Sequence, residues 1–145
     1  MEKNMNSDKE MKEILLSIKT IASVGLSSNP EKESYGVVLY LKEQGYRIIP
    51  VNPTATEILG EKAYPSLSAI PDKVDLVQVF RKPEDVPSVV EEAIKIGAKV
   101  VWMQEGIINE EAAQKAREAG LQVVMDACIR ATHRRLNIGP KPMGL

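Results

Sequence analysis

Cysteine and histidine are almost absent from the sequence, which contains one of each among 145 residues. The single cysteine, Cys128, excludes a disulfide within the chain. Together with His133 it supplies too few ligands for a Cys/His zinc site in one chain. Disulfides are characteristic of oxidising compartments, so their absence favours a cytoplasmic location.

An excess of charge of one sign and a long apolar segment are also missing. The chain has 19 Lys and Arg against 20 Asp and Glu, a net charge of −1 and a pI of about 5.9. Without a basic excess, nucleic acid is not an expected partner. No apolar run approaches the ~18–20 residues of a membrane span, and the N-terminus is too charged for a signal peptide. We therefore expect no membrane partner.

The composition, 43% hydrophobic and 27% charged, is that of an ordinary globular protein. The length predicts one domain over residues 1–145, with an ordered core at about 8–136. Residues 1–6 are predicted to be a disordered or surface arm, and 137–145 a loose tail.

Apolar runs alternate with segments of helical periodicity along the chain. The first four helical segments are each preceded by a capping residue or followed by a glycine. The predicted strands are 20–25, 46–51, 75–80, 99–103 and 121–125. The predicted helices are 8–18, 34–44, 83–96, 110–119 and 126–136, with short turns near Thr56 and at 67–70. Right-handed crossovers then give an α/β fold, a Rossmann-like doubly wound parallel sheet of about five strands with helices on both faces.

The segment from Gly25 to Gly36 joins the first strand to a helix through a loop of small and polar residues. A helix N-terminus after such a loop presents unpaired N–H groups and the positive end of the dipole to an anion. The pattern predicts a phosphate site, with an ordinary strand-to-helix turn as the alternative.

The residues that follow the other strands indicate which nucleotide fits. The loop lacks the glycines of G-x-G-x-x-G, and the second strand ends in Asn52-Pro53 rather than in the acid that binds a ribose 2′-hydroxyl. Arg81 and Lys82 follow the third strand and can hold phosphates. Together with Lys32, they favour a phosphate-rich adenine nucleotide over NAD. The alternative interpretation of Arg81 and Lys82 is a solvated pair that leads into a helix.

Several short segments carry a resemblance in the right order and spacing: Val24-Gly25-Leu26-Ser27, Ser34-Tyr35, Pro50-Val51-Asn52-Pro53, Tyr64-Pro65-Ser66-Leu67, Phe80-Arg81 and Met125-Asp126. With them the chain resembles the small stand-alone CoA-binding proteins. These are similar to the N-terminal CoA-binding domain of the succinyl-CoA synthetase α subunit. The likeness covers about residues 12–136.

The resemblance implies coenzyme A or an acyl-CoA as the ligand, and it implies a role for each site residue. Gly25, Ser27, Ser28 and Lys32 would meet the diphosphate, with Ser34 and Tyr35 at the helix start. Val51, Asn52 and Pro53 would flank the adenosine, and Phe80, Arg81 and Lys82 would close over the adenine and the ribose phosphate. Met103 and Gln104 would lie beside the pantetheine path. Ala127 and Thr132 depart from the resemblance, since a basic and an acidic residue are expected there.

No catalytic residue is predicted. The domain that carries the phosphorylated histidine in the synthetase has no counterpart here, and His133 does not replace it. Cys128 and His133 lie about 140° apart around a helix, which makes a poor nucleophile–base pair. Glu105 and Asp126 could converge at the sheet edge, although capping and loop hydrogen bonds are the alternative.

Cys128 and the run His133-Arg134-Arg135 each have two interpretations, whereas Trp102 has one. Cys128 follows the fifth strand and is either inert or able to form a mixed disulfide with the CoA thiol. The run His133-Arg134-Arg135 is interpreted either as a solvated helix face or as a dimer rim. Trp102 is predicted to belong to the core.

The sequence therefore predicts a non-catalytic carrier, sensor or partner module that binds CoA or acyl-CoA. A redox-type module that binds NAD(P) is one alternative. The other is a CoA-binding subunit of a multi-chain acyl-CoA synthetase. A homodimer or a separate partner protein is compatible with each of these functions.

Overall fold

The computed structural model describes residues 6–142 of the protein. The predictions for residues 1–5 and 143–145 lie outside this part of the chain. Among the described residues, no helix has the length and apolarity that a membrane span requires.

Five parallel strands form the central sheet. They are β1 (Thr20–Val24), β2 (Arg47–Val51), β5 (Leu76–Val79), β6 (Val100–Met103) and β7 (Gln122–Val124), in the order β2-β1-β5-β6-β7. Two short antiparallel strands, β3 (Glu57–Ile58) and β4 (Glu61–Lys62), form a separate hairpin. The predicted Rossmann-like parallel sheet of five strands is confirmed.

Helices cover both faces of the sheet. They are α1 (Asp8–Ser17), α2 (Glu33–Glu43), α3 (Val86–Lys95), α4 (Glu110–Glu118) and α5 (Ile129–Arg135). Helices α1, α2 and α5 pack on the face that carries Ile21, Leu76 and Trp102, whereas α3 and α4 pack on the face of Ala22 and Val77. Because both faces are buried, the strands are almost continuously apolar. Trp102 is fully buried, as predicted.

Two predictions are wrong in detail, the short turn near Thr56 and the start of the helix at 83–96. The segment near Thr56 is followed by the β3–β4 hairpin and not by a helical turn. Its two-residue loop, Leu59-Gly60, has positive φ at both positions, the geometry that matches the twist of a hairpin. Pro83 begins a 3₁₀ turn, Pro83–Asp85, and the α-helix begins only at Val86.

The C-terminal segment is anchored as far as it is described, so the predicted loose tail is wrong there. The Lys141 backbone N–H donates to the Gln44 carbonyl at 2.8 Å. Its ammonium group donates to the Leu16 carbonyl at 3.0 Å and lies 4.8 Å from the centre of the Tyr46 ring. This segment therefore connects the C-terminal ends of α1 and α2.

His133 lies in the core, and the prediction that it belongs to a solvated helix face is wrong. Its side chain is 1% exposed, and Nδ1 lies 2.7 Å from the Tyr40 hydroxyl. The imidazole also makes edge contacts with the Tyr40 and Tyr46 rings. Burial lowers the pKa of His133, the Gly139 backbone partly opposes this, and the charge of Lys141 adds to the lowering.

We expect His133 to make the fold sensitive to mild acid. Below the ordinary histidine pKa of about 6.5 the unfolded chain takes up a proton that the folded chain resists, so the free energy of unfolding falls by at most about 1.4 kcal/mol per pH unit. Urea unfolding at pH 7, 6 and 5 should show this fall in the wild type and a flatter profile in His133→Gln. Because His133 is the only histidine, parallel profiles would contradict the assignment.

Candidate functional site

The carboxyl edge of the sheet has a crevice where the strand order reverses. After β1 the chain adds β2 on one side and then crosses to place β5 on the other side. The loops that follow β1 and β5 therefore run in opposite directions. In sheets of this kind, ligands bind at such a reversal.

Gly25 brings these two loops into contact. Its N–H donates to the Val51 carbonyl at 3.1 Å, and its φ is +87°. A Cβ at this position would lie 2.6 Å from the Phe80 carbonyl oxygen and 3.0 Å from Cδ of Arg81. Both the backbone conformation and the close approach therefore require glycine.

The loop after Gly25 is held in shape by its own side chains. The Ser27 N–H donates to Ser34 Oγ at 3.1 Å, and Ser27 Oγ accepts from the Asn29 N–H at 3.0 Å. Ser28 and Lys32 remain exposed. Lys32 is the N-cap residue of α2, and its side chain does not cap this helix. The start of α2 therefore has no side-chain cap.

Asn52 connects the loop after β2 to the loop after β1. Its Nδ2 donates to the Leu26 carbonyl at 3.0 Å, while Oδ1 accepts from the N–H groups of Thr54 and Ala55. An aspartate could not make the first of these bonds. The side chain of Val51 is buried, whereas Pro53 is exposed, and neither residue lines the cavity found at this edge.

Phe80, Arg81 and Lys82 leave β5 directly beside Gly25. The Phe80 N–H donates to the Val24 carbonyl at 2.9 Å, and its ring is half-buried. Arg81 forms an ion pair with Asp85 at 3.1 Å, yet 43% of its side chain is exposed. Lys82 is exposed and forms no ion pair with any residue that the structure describes. Both cations can therefore turn toward a phosphate.

A cavity of about 410 Å³ lies at this edge, and we call it the crevice cavity. Its lining residues come from the start of α2 and from the loops after β5 and β6: Glu33, Phe80, Arg81, Gln104, Glu105 and Ile107. Glu33 and Ile107 were not among the predicted site residues. Glu33 lies between two predicted site residues, Lys32 and Ser34, whereas Ile107 is placed here only by the packing of separate loops.

Met103 and Gln104 differ from the other predicted site residues. The Met103 side chain is fully buried on the sheet face covered by α3 and α4. Gln104 is 5% exposed, and its Oε1 accepts from Gln78 Nε2 at 3.2 Å and from the Ile129 N–H at 2.9 Å. Ser23 Oγ in turn donates to Gln78 Oε1 at 2.9 Å. These buried bonds connect three central strands to the start of α5.

Arg130 is a cation near this edge that was not predicted from the sequence. It lies in the first turn of α5, and its guanidinium is 3.4 Å from the position that a Gly36 Cβ would occupy. It is half-buried and forms no ion pair with any described residue. Gly36 lies inside α2, where glycine costs about 1 kcal/mol relative to alanine. This glycine leaves room for Arg130.

A second cavity, of about 350 Å³, lies where β7 leads into α5, and we call it the Cys128 cavity. Glu105 and Asp126 both line it, so the two carboxylates do converge on one space. Asp126 Oδ1 accepts from the Gly106 N–H at 2.7 Å, as the loop-bond alternative predicted. Cys128 is the half-buried N-cap residue of α5.

Comparison with known proteins identifies relatives over nearly the whole chain. The model of a family described as "CoA binding domain" matches residues 19–134. The Bacillus subtilis protein "Uncharacterized protein YneT" is 48% identical over 88% of this chain and 94% of its own length. A solved structure, "hypothetical protein from Pyrococcus horikoshii OT3", is 47% identical with a TM-score of 0.89 and covers 92% of this chain and 94% of its own.

Larger proteins contain a similar segment. "Acetate--CoA ligase [ADP-forming] II subunit alpha" of Pyrococcus furiosus is 34% identical over 81% of this chain. The match spans 28% of that subunit. The chain is thus similar to one part of this relative.

We expect Gly25→Ala to destabilise the fold more than Gly120→Ala, which places an alanine at another glycine with a positive φ. A side chain at positive φ costs about 1–3 kcal/mol, and at Gly25 it also meets the Phe80 carbonyl. Gly120 has a φ of +93°, and no atom lies within 4 Å of the position that its Cβ would occupy, so Gly120→Ala is the matched control. Urea unfolding should show the larger loss for Gly25→Ala, and equal losses would contradict the close contact.

Proposed function

Because the chain belongs to the CoA binding domain family, we propose that it binds coenzyme A or an acyl-CoA in the crevice between β1 and β5. In this proposal the protein acts as a non-catalytic carrier, sensor or partner module. The observation that carries the proposal is the direct contact of the loops after β1 and β5 at Gly25. This contact puts an uncapped helix N-terminus beside exposed cations.

The ligand would lie along the carboxyl edge in a fixed order. The diphosphate would meet Gly25, Ser27, Ser28 and Lys32 at the start of α2, with Ser34 and Tyr35 beneath it. The adenosine would lie between the loops at Val51, Asn52 and Pro53 and at Phe80, Arg81 and Lys82. The pantetheine arm would then pass the backbone of Met103 and Gln104.

The positions of the buried residues refine these roles. Met103 would act through backbone atoms, since its side chain lies in the core, whereas Gln104 lines the crevice cavity while its Oε1 accepts from the Ile129 N–H. Arg130 would add a cation on the α5 side of the diphosphate. It approaches the same first turn of α2 and forms no ion pair with a described residue.

A second candidate function is a CoA-binding subunit that works with a separately encoded partner. The observation in its favour is the similarity to the alpha subunit of an ADP-forming acetate–CoA ligase. In this candidate, a partner would supply the functions that the matched 28% of that subunit does not carry. Co-purification of a ligase-type protein with the tagged chain would support this candidate, and recovery of the chain alone would count against it.

Isothermal titration with CoA, NAD, NADP and ATP tests the proposed ligand. We expect CoA to bind at least about tenfold more tightly than NAD, because an adenine nucleotide with three phosphates uses both the helix start and the exposed cations. A tenfold preference for NAD would overturn the proposal in favour of a redox-type module. Native mass spectrometry of the purified protein would independently identify a retained ligand.

If Arg81 holds the ribose phosphate, we expect Arg81→Ala to lower the affinity for CoA by about tenfold or more and the affinity for dephospho-CoA much less. Titration of both ligands against both proteins measures the difference. Arg117→Ala, in the last turn of α4, is the matched control and should change neither affinity. An equal loss for CoA and dephospho-CoA would place Arg81 at another part of the ligand.

A further inference from the structure

Residues 137–142, which we call the C-terminal strap, are joined to the rest of the protein by few hydrogen bonds. The Ile138 N–H donates to the His133 carbonyl at 3.3 Å, and the Lys141 N–H donates to the Gln44 carbonyl at 2.8 Å. The Lys141 ammonium group also donates to two carbonyls at the end of α1. The strap contains no helix or strand. Segments of this kind open at a lower free-energy cost than the core, so the strap can detach while the sheet stays folded.

Gly45 lets the strap pass close to the end of α2. Its φ is +95°, and a Cβ at this position would lie 2.9 Å from Cβ of Lys141. Two such atoms do not approach within 3.0 Å unless one of them shifts. An alanine at position 45 would therefore push the strap away from α2.

His133 lies beside the strap and has one ring nitrogen without a partner. The Tyr40 hydroxyl has no hydrogen-bond partner among the described residues except Nδ1, so it donates to Nδ1 and leaves the ring proton on Nε2. Nε2 is buried and forms no hydrogen bond with a described residue. The Gly139 backbone raises the pKa of the imidazole, but it does not have the geometry of a hydrogen bond to Nε2. Because Asn137 and Gly139 line a cavity of about 280 Å³ together with His133, removal of the strap gives water access to the ring.

The groups around the imidazole include two cations. Arg134 of α5 lines the same cavity, with its guanidinium 4.7 Å from the centre of the Tyr40 ring. Lys141 of the strap lowers the pKa of His133 through its charge, in addition to the larger effect of burial. The aromatic contacts of the ring are Tyr40 and Tyr46, and burial raises the pKa of Tyr46. A proton on His133 would thus add a positive charge beside Arg134 and Lys141.

No buried carboxylate among the described residues of the neighbouring elements balances that charge. The acidic side chains of α1 and α2 are exposed or half-buried: Asp8, Glu10, Glu13, Glu33 and Glu43. Asp8 is already ion-paired with Arg135 at 2.9 Å. Helix α5 and the strap contain no acidic residue. A buried charge without a counter-charge is unfavourable, so the closed strap favours the neutral imidazole.

We infer that the C-terminal strap is a pH-dependent switch that detaches from α1 and α2 when His133 takes up a proton. Detachment gives the protonated ring access to water and removes Lys141 from its side. The sheet and the crevice stay folded, which distinguishes this local opening from the global unfolding that mild acid favours. The open fraction should rise by at most about tenfold per pH unit below the ordinary histidine pKa of about 6.5, because the closed strap resists the proton that the open strap accepts. The inference does not depend on the proposed CoA function.

Amide hydrogen exchange measured by NMR at pH 7, 6 and 5 tests the opening in the wild type. The protection factor of Lys141, which corrects for the intrinsic pH dependence of exchange, should fall about tenfold or more over this range. At each pH, Lys141 should be at least about tenfold less protected than Val77 in the central strand β5, because only the strap opens. Protection of Lys141 that does not fall with pH would overturn the inference. Equal protection of Lys141 and Val77 would overturn it as well, since Lys141 would then exchange only by global unfolding.

His133→Gln tests whether the imidazole is the group responsible. The variant removes the only histidine in the sequence, so the protection factor of Lys141 should be the same at pH 7 and pH 5. A fall as large as in the wild type would show that another group controls the strap, which contradicts the inference.

Gly45→Ala tests the same coupling in the opposite direction, because it displaces the strap at neutral pH. By linkage, a change that opens the strap must also raise the pKa of the imidazole toward its ordinary value. NMR titration of the single imidazole should show this rise in Gly45→Ala. Gly97→Ala is the matched control, since Gly97 also follows a helix, has a φ of +77°, and has no atom within 4 Å of the position that its Cβ would occupy. The same imidazole pKa in both variants would overturn the inference.

Thermal unfolding of each variant identifies any effect that is due to misfolding. The wild-type comparison of Lys141 with Val77 requires no variant, so it keeps the test decisive if Gly45→Ala or His133→Gln fails to fold.

Discussion

The close approach of two loops at Gly25 is the constraint on which the carboxyl edge of this protein depends. A hydrogen atom in place of a side chain lets the turn after β1 lie against the Phe80 carbonyl. The same turn is hydrogen-bonded to Val51 of β2. Three strand ends are thereby fixed relative to one another, and the start of α2 and the side chain of Arg81 come to the same crevice. Any larger residue would separate the parts from which a phosphate site is made.

A line of buried hydrogen bonds extends this order across the sheet. Ser23, Gln78 and Gln104 are fully or almost fully buried. The hydrogen bonds that join them continue to the Ile129 N–H, the first of α5. Buried amides are costly unless they are paired, and here Gln78 donates to Gln104 Oε1, which also accepts from the Ile129 N–H. The bonds fix the start of α5 over the edge of β6. They thereby set the position of the Cys128 cavity relative to the crevice cavity.

Charge is distributed unevenly along this edge. Exposed cations, Lys32, Arg81 and Lys82, lie at the crevice together with Glu33, whereas Glu105 lines both cavities and Asp126 lines the Cys128 cavity. Such an arrangement suits a ligand that carries its negative charge at the crevice end. The net charge of −1 gives no indication of it, because that sum contains no information on position.

The class of the fold follows from the sequence, because apolar runs of strand length that alternate with amphipathic helices have few ways to bury both patterns. The same pattern placed Gly25, Asn52 and Arg81 at one edge, since parallel strands bring their carboxyl ends together. It did not show that His133 is buried, that residues 137–142 are anchored, or that Gln104 is hydrogen-bonded on both sides. The proximity of Arg130 to Gly36 was equally hidden. These features arise from contacts between residues far apart in the chain, which form only in the folded protein. Local periodicity carries no information about such contacts, so the sequence alone could not reveal them.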